Sequence, residues 1–265
     1  MGKRIYLAII WIITLICILV GCRRFTNSFS WGFWGFWGEE KYEQVEDFDT
    51  SLKRNTKDQG EKGEHHYEQA FTNLIITCDT ADVTIKTGKE FSCKYKISSN
   101  ANYSFDWKPD NEGTAYITQK NTRSFNNRGC SFEITIPSDV TLSSVTIENA
   151  VGDTKISGVH INTVSGNLDV GDFEMKNAEA ENVVIDSDTG DVELKHVTFA
   201  NLTVTADVGN CSVEDINSND YDLELSADVG EVEVDGEDYR SSYVRDNGKS
   251  QKIDITCSVG DVEIN

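Results

Sequence analysis

Few residues in this 265-residue chain are placed to do chemistry, and cysteine is the first type to weigh, with seven copies. Cys22 closes Leu19-Val20-Gly21-Cys22 at the end of an apolar run. In a lipobox, small residues before the cysteine admit a signal peptidase and the thiol takes a diacylglycerol, so Cys22 is the candidate lipidation site. Five more cysteines, Cys78, Cys93, Cys130, Cys211 and Cys257, lie beyond it. An odd number outside the cytoplasm would suggest bridges plus a spare thiol. Strand phase points elsewhere, because each falls in step with apolar neighbours such as Phe91, Tyr95 and Ile97 around Cys93. Free cysteine on an apolar face acts as a small hydrophobe, so all five are expected to be core thiols. Cys93 with Cys130 is the one pair left open as a bridge.

Asp186-Ser-Asp188-Thr-Gly190-Asp191 looks like the start of a calcium loop, and Asp186, Asp188 and Asp191 are the candidate cation ligands. The match is incomplete. An EF-hand needs Gly at loop position 6 and a carboxylate at position 12; here the Gly comes one residue early and Val197 takes the last place. Asp beside Gly is also what tight turns select. His65, His66, His160 and His196 show no metal spacing, and no Ser-His-Asp set, P-loop or paired-cysteine motif appears. A carbohydrate-active enzyme on a β-solenoid is the alternative class. It would need carboxylates beside a base, and Arg240 and Arg245, both in a late loop, are the repeat body's arginines. No catalytic residue is assigned.

The elements that must position these residues begin with an anchor. Ile5–Gly21 is apolar and uncharged and follows Met-Gly-Lys-Arg. That length sits between a signal-peptide core and a membrane-spanning helix. Residues 1–24 are therefore a lipoprotein signal peptide or an uncleaved single-pass anchor, and both readings put the rest outside the cytoplasm. Residues 25–38, with Trp31-Gly-Phe-Trp34-Gly-Phe-Trp37-Gly, suit the headgroup layer. Residues 39–64 are charged, polar and aperiodic, and read as a disordered linker.

Residues 65–265 carry an internal repeat: a turn, usually Gly followed by Asp, Asn or Glu, with a strand on each side. The turn glycines read as Gly152, Gly166, Gly190, Gly209, Gly230 and Gly260, with Ala81 in the first copy. Seven and five residues before the turn stand pairs such as Val145 and Ile147, or Val183 and Ile185. Two and four residues after it stand pairs such as Val192 and Leu194. A period of two puts them on one face of a strand. The position three before the turn is small or medium throughout, including Cys78, Asn149, Thr163, Ser187, Ala206, Ala227 and Cys257, so something is expected to pack close there. Spacing between the glycines is 14, 24, 19, 21 and 30 residues, which predicts coils of unequal circumference. Hairpins of a β-sandwich also alternate, but recurrence in fixed phase favours a solenoid. Residues 86–144 interrupt the series, with strands expected over 91–97, 114–118 and 132–136.

Charge follows the repeats. The first 24 residues hold four bases and no acid, so removing these four positive charges takes the net charge from −21 to −25. From Val145 to the end there are 27 acidic and 7 basic residues. Nucleic acid, bound mainly through Lys and Arg, is excluded as a partner, as is peripheral binding to anionic lipid.

Ala81-Asp-Val-Thr-Ile85, Phe132-Glu-Ile-Thr-Ile-Pro137, Ser187-Asp-Thr-Gly-Asp-Val-Glu-Leu194 and Cys257-Ser-Val-Gly-Asp-Val-Glu-Ile264 resemble the bacterial adhesin-like, or toast-rack, family of β-strand repeat proteins. The resemblance spans about residues 65–265. It implies an extracytoplasmic all-β domain, often beside a membrane segment and sometimes tied to envelope-stress signalling, with no catalytic residues. The expected protein is thus all-β and solenoid-like, a toast-rack or irregular right-handed β-helix with an N-terminal membrane anchor. It is expected to be a cell-surface binding or scaffolding module for an envelope or cell-wall partner, needing no cofactor unless calcium binds the acidic turn.

Overall fold

The computed structural model describes residues 61–67, 69–98, 110, 113–121 and 130–265, with the backbone of 53–54 and 101–105. Cys22, the anchor, the aromatic segment and most of the expected linker lie outside the described residues. Among the described residues no helix is long and apolar enough to cross a membrane.

The chain winds as two-strand coils. In each, a strand of one sheet runs through a tight corner into a strand of a second sheet, and each sheet has eleven strands. We call them the long and short sheets. In the central coils the long strands are Thr141–Val151, His160–Val170, Glu179–Thr189 and Asn201–Val208. Their short partners are Thr154–Ser157, Phe173–Lys176, Val192–Lys195 and Cys211–Glu214. Neighbouring coils pair in parallel and in register, Thr154 beside Phe173, Phe173 beside Val192 and Val192 beside Cys211. Side chains from both sheets meet in one continuous apolar core holding Val145, Ile147, Ile156, Val183, Ile185, Val192, Leu194, Leu202 and Val204. A single coil could not bury its apolar face alone; stacking supplies the neighbours.

The coils are regular, contrary to the unequal spacing expected. Equivalent corner residues are 19 positions apart through this region. The error lies at Gly166. The corner glycine that follows Gly152 is Gly171, with φ of 142°, and Gly166 occupies the inward column held elsewhere by Ile147 and Ile185. Two features hid this. A glycine in place of isoleucine weakened the column, and strand parity slips at Asn162-Thr163, so that Ile161 and Val164 are both buried. Val170, expected inside, is 49% exposed.

Coil order in space departs from chain order at both ends. The coil of Asn73–Cys78 and Ala81–Gly88 lies between that of Thr114–Asn121 and Cys130–Pro137 and that of Thr141–Ser157. The segment expected to interrupt the repeat therefore supplies an eighth coil. At the other end Lys252–Val259 and Val262–Ile264 insert between the Asn201–Glu214 coil and that of Asp222–Val229 and Val232–Val234. The antiparallel strands Glu237–Asp238 and Ser242–Arg245 flank that last coil.

The domain also begins earlier than residue 65. Glu61–His66 pairs antiparallel with Ser92–Ile97, inside the expected linker. It is the outermost strand of its sheet and has no apolar alternation, only a mix of half-buried and exposed polar residues. A strand held by backbone pairing at a sheet edge leaves no periodic signal in sequence.

Candidate functional site: the glycine-aspartate corner and the two outer faces

The corner is built from three columns. Gly152, Gly171, Gly190, Gly209, Gly260 and Gly230 stack in that spatial order, with φ between 133° and 156°. Only glycine adopts this backbone readily. A Cβ at Gly190 would also sit 2.1 Å from the carbonyl oxygen of Gly171, and one at Gly209 would sit 2.0 Å from that of Gly190. Both conformation and space therefore demand glycine.

The residue after each glycine forms a hydrogen-bond ladder. Asp82 Oδ1 accepts from the Asp153 N–H at 3.3 Å, and Asp153 from Asp172 at 3.2 Å. Asp172 accepts from Asp191 at 2.9 Å, and Asp191 from Asn210 at 2.7 Å. Asn210 accepts from Asp261 at 3.0 Å, and Asp261 from Glu231 at 2.9 Å. The acidic residue is thus selected as a short-armed acceptor that ties each corner to the next, and asparagine serves equally.

The position three before the glycine lies under these corners, where their carbonyls turn inward. Asn149 Nδ2 donates to the carbonyls of Ala81 and Gly152 at 2.9 and 3.0 Å. Cys257 Sγ donates to that of Gly209 at 3.1 Å. This is what packs close to the small-residue column. In the corrected register Leu168, not Thr163, is its member in the Gly171 coil.

The expected cation ligands are only partly brought together. Asp186 and Asp188 share the exposed face of one long strand, with buried Ser187 between them. Asp191 stands at the corner, its Oδ1 engaged by Asn210. Among the described residues no group of three or more His, Cys, Asp or Glu converges as a metal site.

All five domain cysteines are buried and free. Burial pushes the Cys78 and Cys211 thiols up to about 12, and Cys93 and Cys257 in the same direction. Cys93 stands opposite Ile134, not Cys130. Cys130 is four residues along that strand, roughly 13 Å away at strand rise, beyond disulfide reach.

The two outer faces differ in charge. On the short sheet Lys155 Nζ meets Glu174 at 2.8 Å, Lys176 meets Glu174 at 2.8 Å and Glu193 at 3.0 Å, and Lys195 pairs with Glu214. Hydrogen bonds from both lysines hold the Glu174 carboxyl below the usual carboxylate range. The six parallel long strands from Thr141 to Val259 carry one lysine and no arginine: Lys252, paired with Glu224 and Asp254. They present Glu148, Asp169, Asp186, Asp188, Asp207 and Asp228. Every exposed large hydrophobic among the described residues also stands on the long sheet: Val151, Val170, Val184, Val208, Val229, Val244 and Val259. Five of these immediately precede a corner glycine. The sequence carries this signal as a valine directly before the corner glycine, as in Val151-Gly152-Asp153 and Val170-Gly171-Asp172.

Neither arginine meets these carboxylates. Arg245 donates to the Ser218 carbonyl and lies 3.9 Å from Asp235, and the Arg240 carbonyl accepts from the Val232 N–H. A shallow groove crosses four successive coils between Thr141, His160, Glu179, Glu181 and Thr198, with His160 Nδ1 3.0 Å from Glu179. No arginine or lysine lines it.

Stacked two-strand coils with a glycine-aspartate corner define a β-coil repeat domain whose repeated geometry serves stacking. The chain belongs to the Toastrack DUF4097 family, whose profile matches residues 71–265. No curated protein matches it. Among solved structures it is similar to a candidate cell adhesion protein from Clostridium sporogenes, at 13% identity and a TM-score of 0.48, covering 78% of this chain and 99% of that one. A candidate adhesin from Bacteroides fragilis aligns at 10% identity and a TM-score of 0.37, covering 79% and 99%. One from Parabacteroides merdae aligns at 7% and 0.32, covering 78% and 96%.

Proposed function

We propose that this protein is a non-catalytic, adhesin-like binding or scaffolding module tethered to the outer face of a bacterial envelope. The observation that carries the reading is the contrast between the two faces. The short-sheet face is laced by lysine-glutamate pairs, while the long-sheet face is acidic and holds the exposed valines. Among the described residues, a broad face without a cleft of convergent acid, base and cation suits contact with a partner better than turnover of a substrate.

The tether is the N-terminal segment. Cys22 is its lipidated residue if Leu19-Val20-Gly21-Cys22 is processed as a lipobox; otherwise Ile5–Gly21 stays as a single-pass anchor. Cys22→Ala separates the two: loss of lipid labelling and retention of a longer precursor mean lipoprotein, and unchanged mass and membrane retention mean anchor. The partner is expected in the envelope or cell wall. Crosslinking in intact cells should capture it through residues substituted on the long-sheet face, such as Val170 or Val208. Equal capture from the short-sheet face, or turnover of a cell-wall polysaccharide by purified protein, would overturn the reading.

A further inference from the structure

A row of exposed apolar side chains runs beside the corner through six coils. Val151 pairs in register with Val170, Val170 with Thr189, Thr189 with Val208, Val208 with Val259 and Val259 with Val229. The five valines are between 45% and 65% exposed. Five steps between parallel strands make the row roughly 24 Å long. Single exposed valines are ordinary, but a contiguous apolar row marks a contact site. Strand propensity does not account for it, because threonine meets the same preference. The outward column three residues earlier shows the contrast. Across the same coils it reads Glu148, Asn167, Asp186, Thr205, Thr256 and Ser226, with no apolar member.

Acids border the row on both sides. Asp169, Asp188, Asp207 and Asp228 directly precede members of the row in the chain. Beyond the row comes the glycine column, which carries no side chains, and then Asp153, Asp172, Asp191, Asp261 and Glu231. Lys252, the one base on the six long strands, stands seven residues from Val259, at the other end of its strand. We propose that this row seats a basic amphipathic helix of a partner protein, with the helix's apolar stripe on the valines and its lysines and arginines over the two acidic borders. The proposal rests on the long sheet being the contact face, and it names the chemistry of what touches that face.

Shape and charge select this occupant over others. An amphipathic helix carries one apolar stripe with polar residues on either side, so a basic one meets both acidic borders at once. Its turns repeat about every 5.4 Å, close to the spacing of about 4.8 Å between the valines. A helix of about 16 residues spans the row. An extended segment fits less well, because it sends alternate side chains to opposite faces. Strand addition needs a free backbone edge, and the strands bearing Val170, Thr189, Val208 and Val259 are paired on both sides. A second copy of this chain, set row against row, would bring acid against acid. An anionic lipid surface is opposed for the same reason.

The test uses the full-length protein in nanodiscs of zwitterionic lipid, with the signal of empty nanodiscs subtracted. The probe is a fluorescent peptide of about 18 residues, with leucines at helical spacing and lysines on both flanks. Its controls are a scrambled peptide of the same composition and a version with glutamate for lysine. The amphipathic peptide should bind saturably and more weakly as salt rises, and neither control should match it. Val170→Ser combined with Val208→Ser should weaken binding about tenfold, the scale of the half-exposed area the pair gives up. Asp169→Asn combined with Asp188→Asn should weaken it less and flatten the salt response; this pair also covers the case in which the serine pair folds poorly. Glu174→Gln, on the short face, should leave binding unchanged. Equal binding of the scrambled peptide, or undiminished binding by the serine pair, would overturn the proposal, since the acids would then attract cations without the row. A concentration-dependent dimer abolished by the serine pair would overturn it in favour of a second copy. The wider reading fails separately. No peptide binding alongside strong cellular crosslinks from Val170 and Val208 removes the helix and keeps the contact face. Peptide binding alongside equal crosslinks from both faces keeps the helix site and removes the long sheet's claim to be the cellular contact surface.

Discussion

The two sheets are wound from the same coils and share one core, yet their outer faces solve the charge problem in opposite ways. Along the central coils of the short sheet a lysine stands beside a glutamate, so that Lys155, Glu174, Lys176 and Glu193 form a continuous chain of ion pairs, whereas in the last two coils Glu233 lies beside Glu263. Along the long sheet, acids face acids on the six parallel strands from Thr141 to Val259, with Lys252 as their single lysine. Both faces satisfy the backbone equally, since the parallel ladders do not depend on what points outward. Stacking is therefore guaranteed by the corner and the core, and the outer positions are free to be set by something else. On the short face they are set for mutual compensation. On the long face acids outnumber bases across the strands from Thr141 to Val259, as expected of a surface kept for contact.

That separation of tasks is tested most severely at the corner. Gly190→Ala would force a Cβ to 2.1 Å from the Gly171 carbonyl oxygen and strain a φ of 143°. The cost should be on the order of 3 kcal/mol or more, read as a large fall in the urea midpoint. Gly166→Ala is the control. Gly166 is not at positive φ, and its Cβ would meet the movable Ile185 Cδ1 at 3.0 Å, so the change should be within about 1 kcal/mol of neutral. Comparable losses at the two positions would mean that Gly166 is a corner after all.

The aspartate ladder comes next. Asp172→Ala removes the acceptor for the Asp191 N–H, held at 2.9 Å, and should cost about 1 kcal/mol. Asp172→Asn keeps the acceptor and should recover most of it, as Asn210 already does in the native ladder. Denaturant midpoints of the two variants decide this. If Asn is as costly as Ala, the column is held by charge and not by hydrogen bonding.

Much of this was legible in sequence, for a physical reason. Inward columns such as Val145, Val183 and Leu202 alternate because a strand has two faces, and the repeated Gly-Asp marks a backbone that few other residues allow. The family resemblance rested on those same residues. What stayed hidden was information that no local period contains. Gly166 sat in an apolar column and imitated a turn. Glu61–His66 is held at a sheet edge by backbone pairing, with polar side chains throughout. The insertion of Lys252–Ile264 between earlier coils depends on which edges are free when the chain reaches them. The cysteines illustrate both sides. Phase put Cys211 and Cys257 inside, but only the out-of-order stacking sets Cys257 between Ala206 and Ala227.

On the short face, Glu174→Gln breaks the middle of the ion-pair chain. It should cost about 0.5–1 kcal/mol at neutral pH, the scale of a partly exposed network. Because its folded carboxyl titrates below the usual range, the unfolded chain takes up this proton first. The stabilisation is therefore present above the unfolded pKa and is lost as pH falls through the folded one. The wild-type and variant midpoints should converge in that acid window. A gap that persists at low pH would mean that Glu174 acts by packing, not charge.

The smallest effect belongs to the long face and should have the opposite sign. Asp169 and Asp188 occupy the same outward column in adjacent coils, with Asp207 in the next. Parallel strands lie about 4.8 Å apart, where two exposed like charges repel by on the order of 1 kcal/mol in water and less in salt. Asp169→Asn removes one member and should leave stability unchanged or raise it by a few tenths of a kcal/mol. Added sodium chloride should stabilise the wild-type protein more than the variant, since screening and substitution relieve the same repulsion. On the short face the salt response should reverse, with Glu174→Gln losing less stability than the wild type as attraction is screened. The two variants therefore form a matched pair, one acid removed from each face of the same coils. If both changes destabilise and both salt responses run in the same direction, the faces are electrostatically alike, and the long sheet has no claim to be the contact surface.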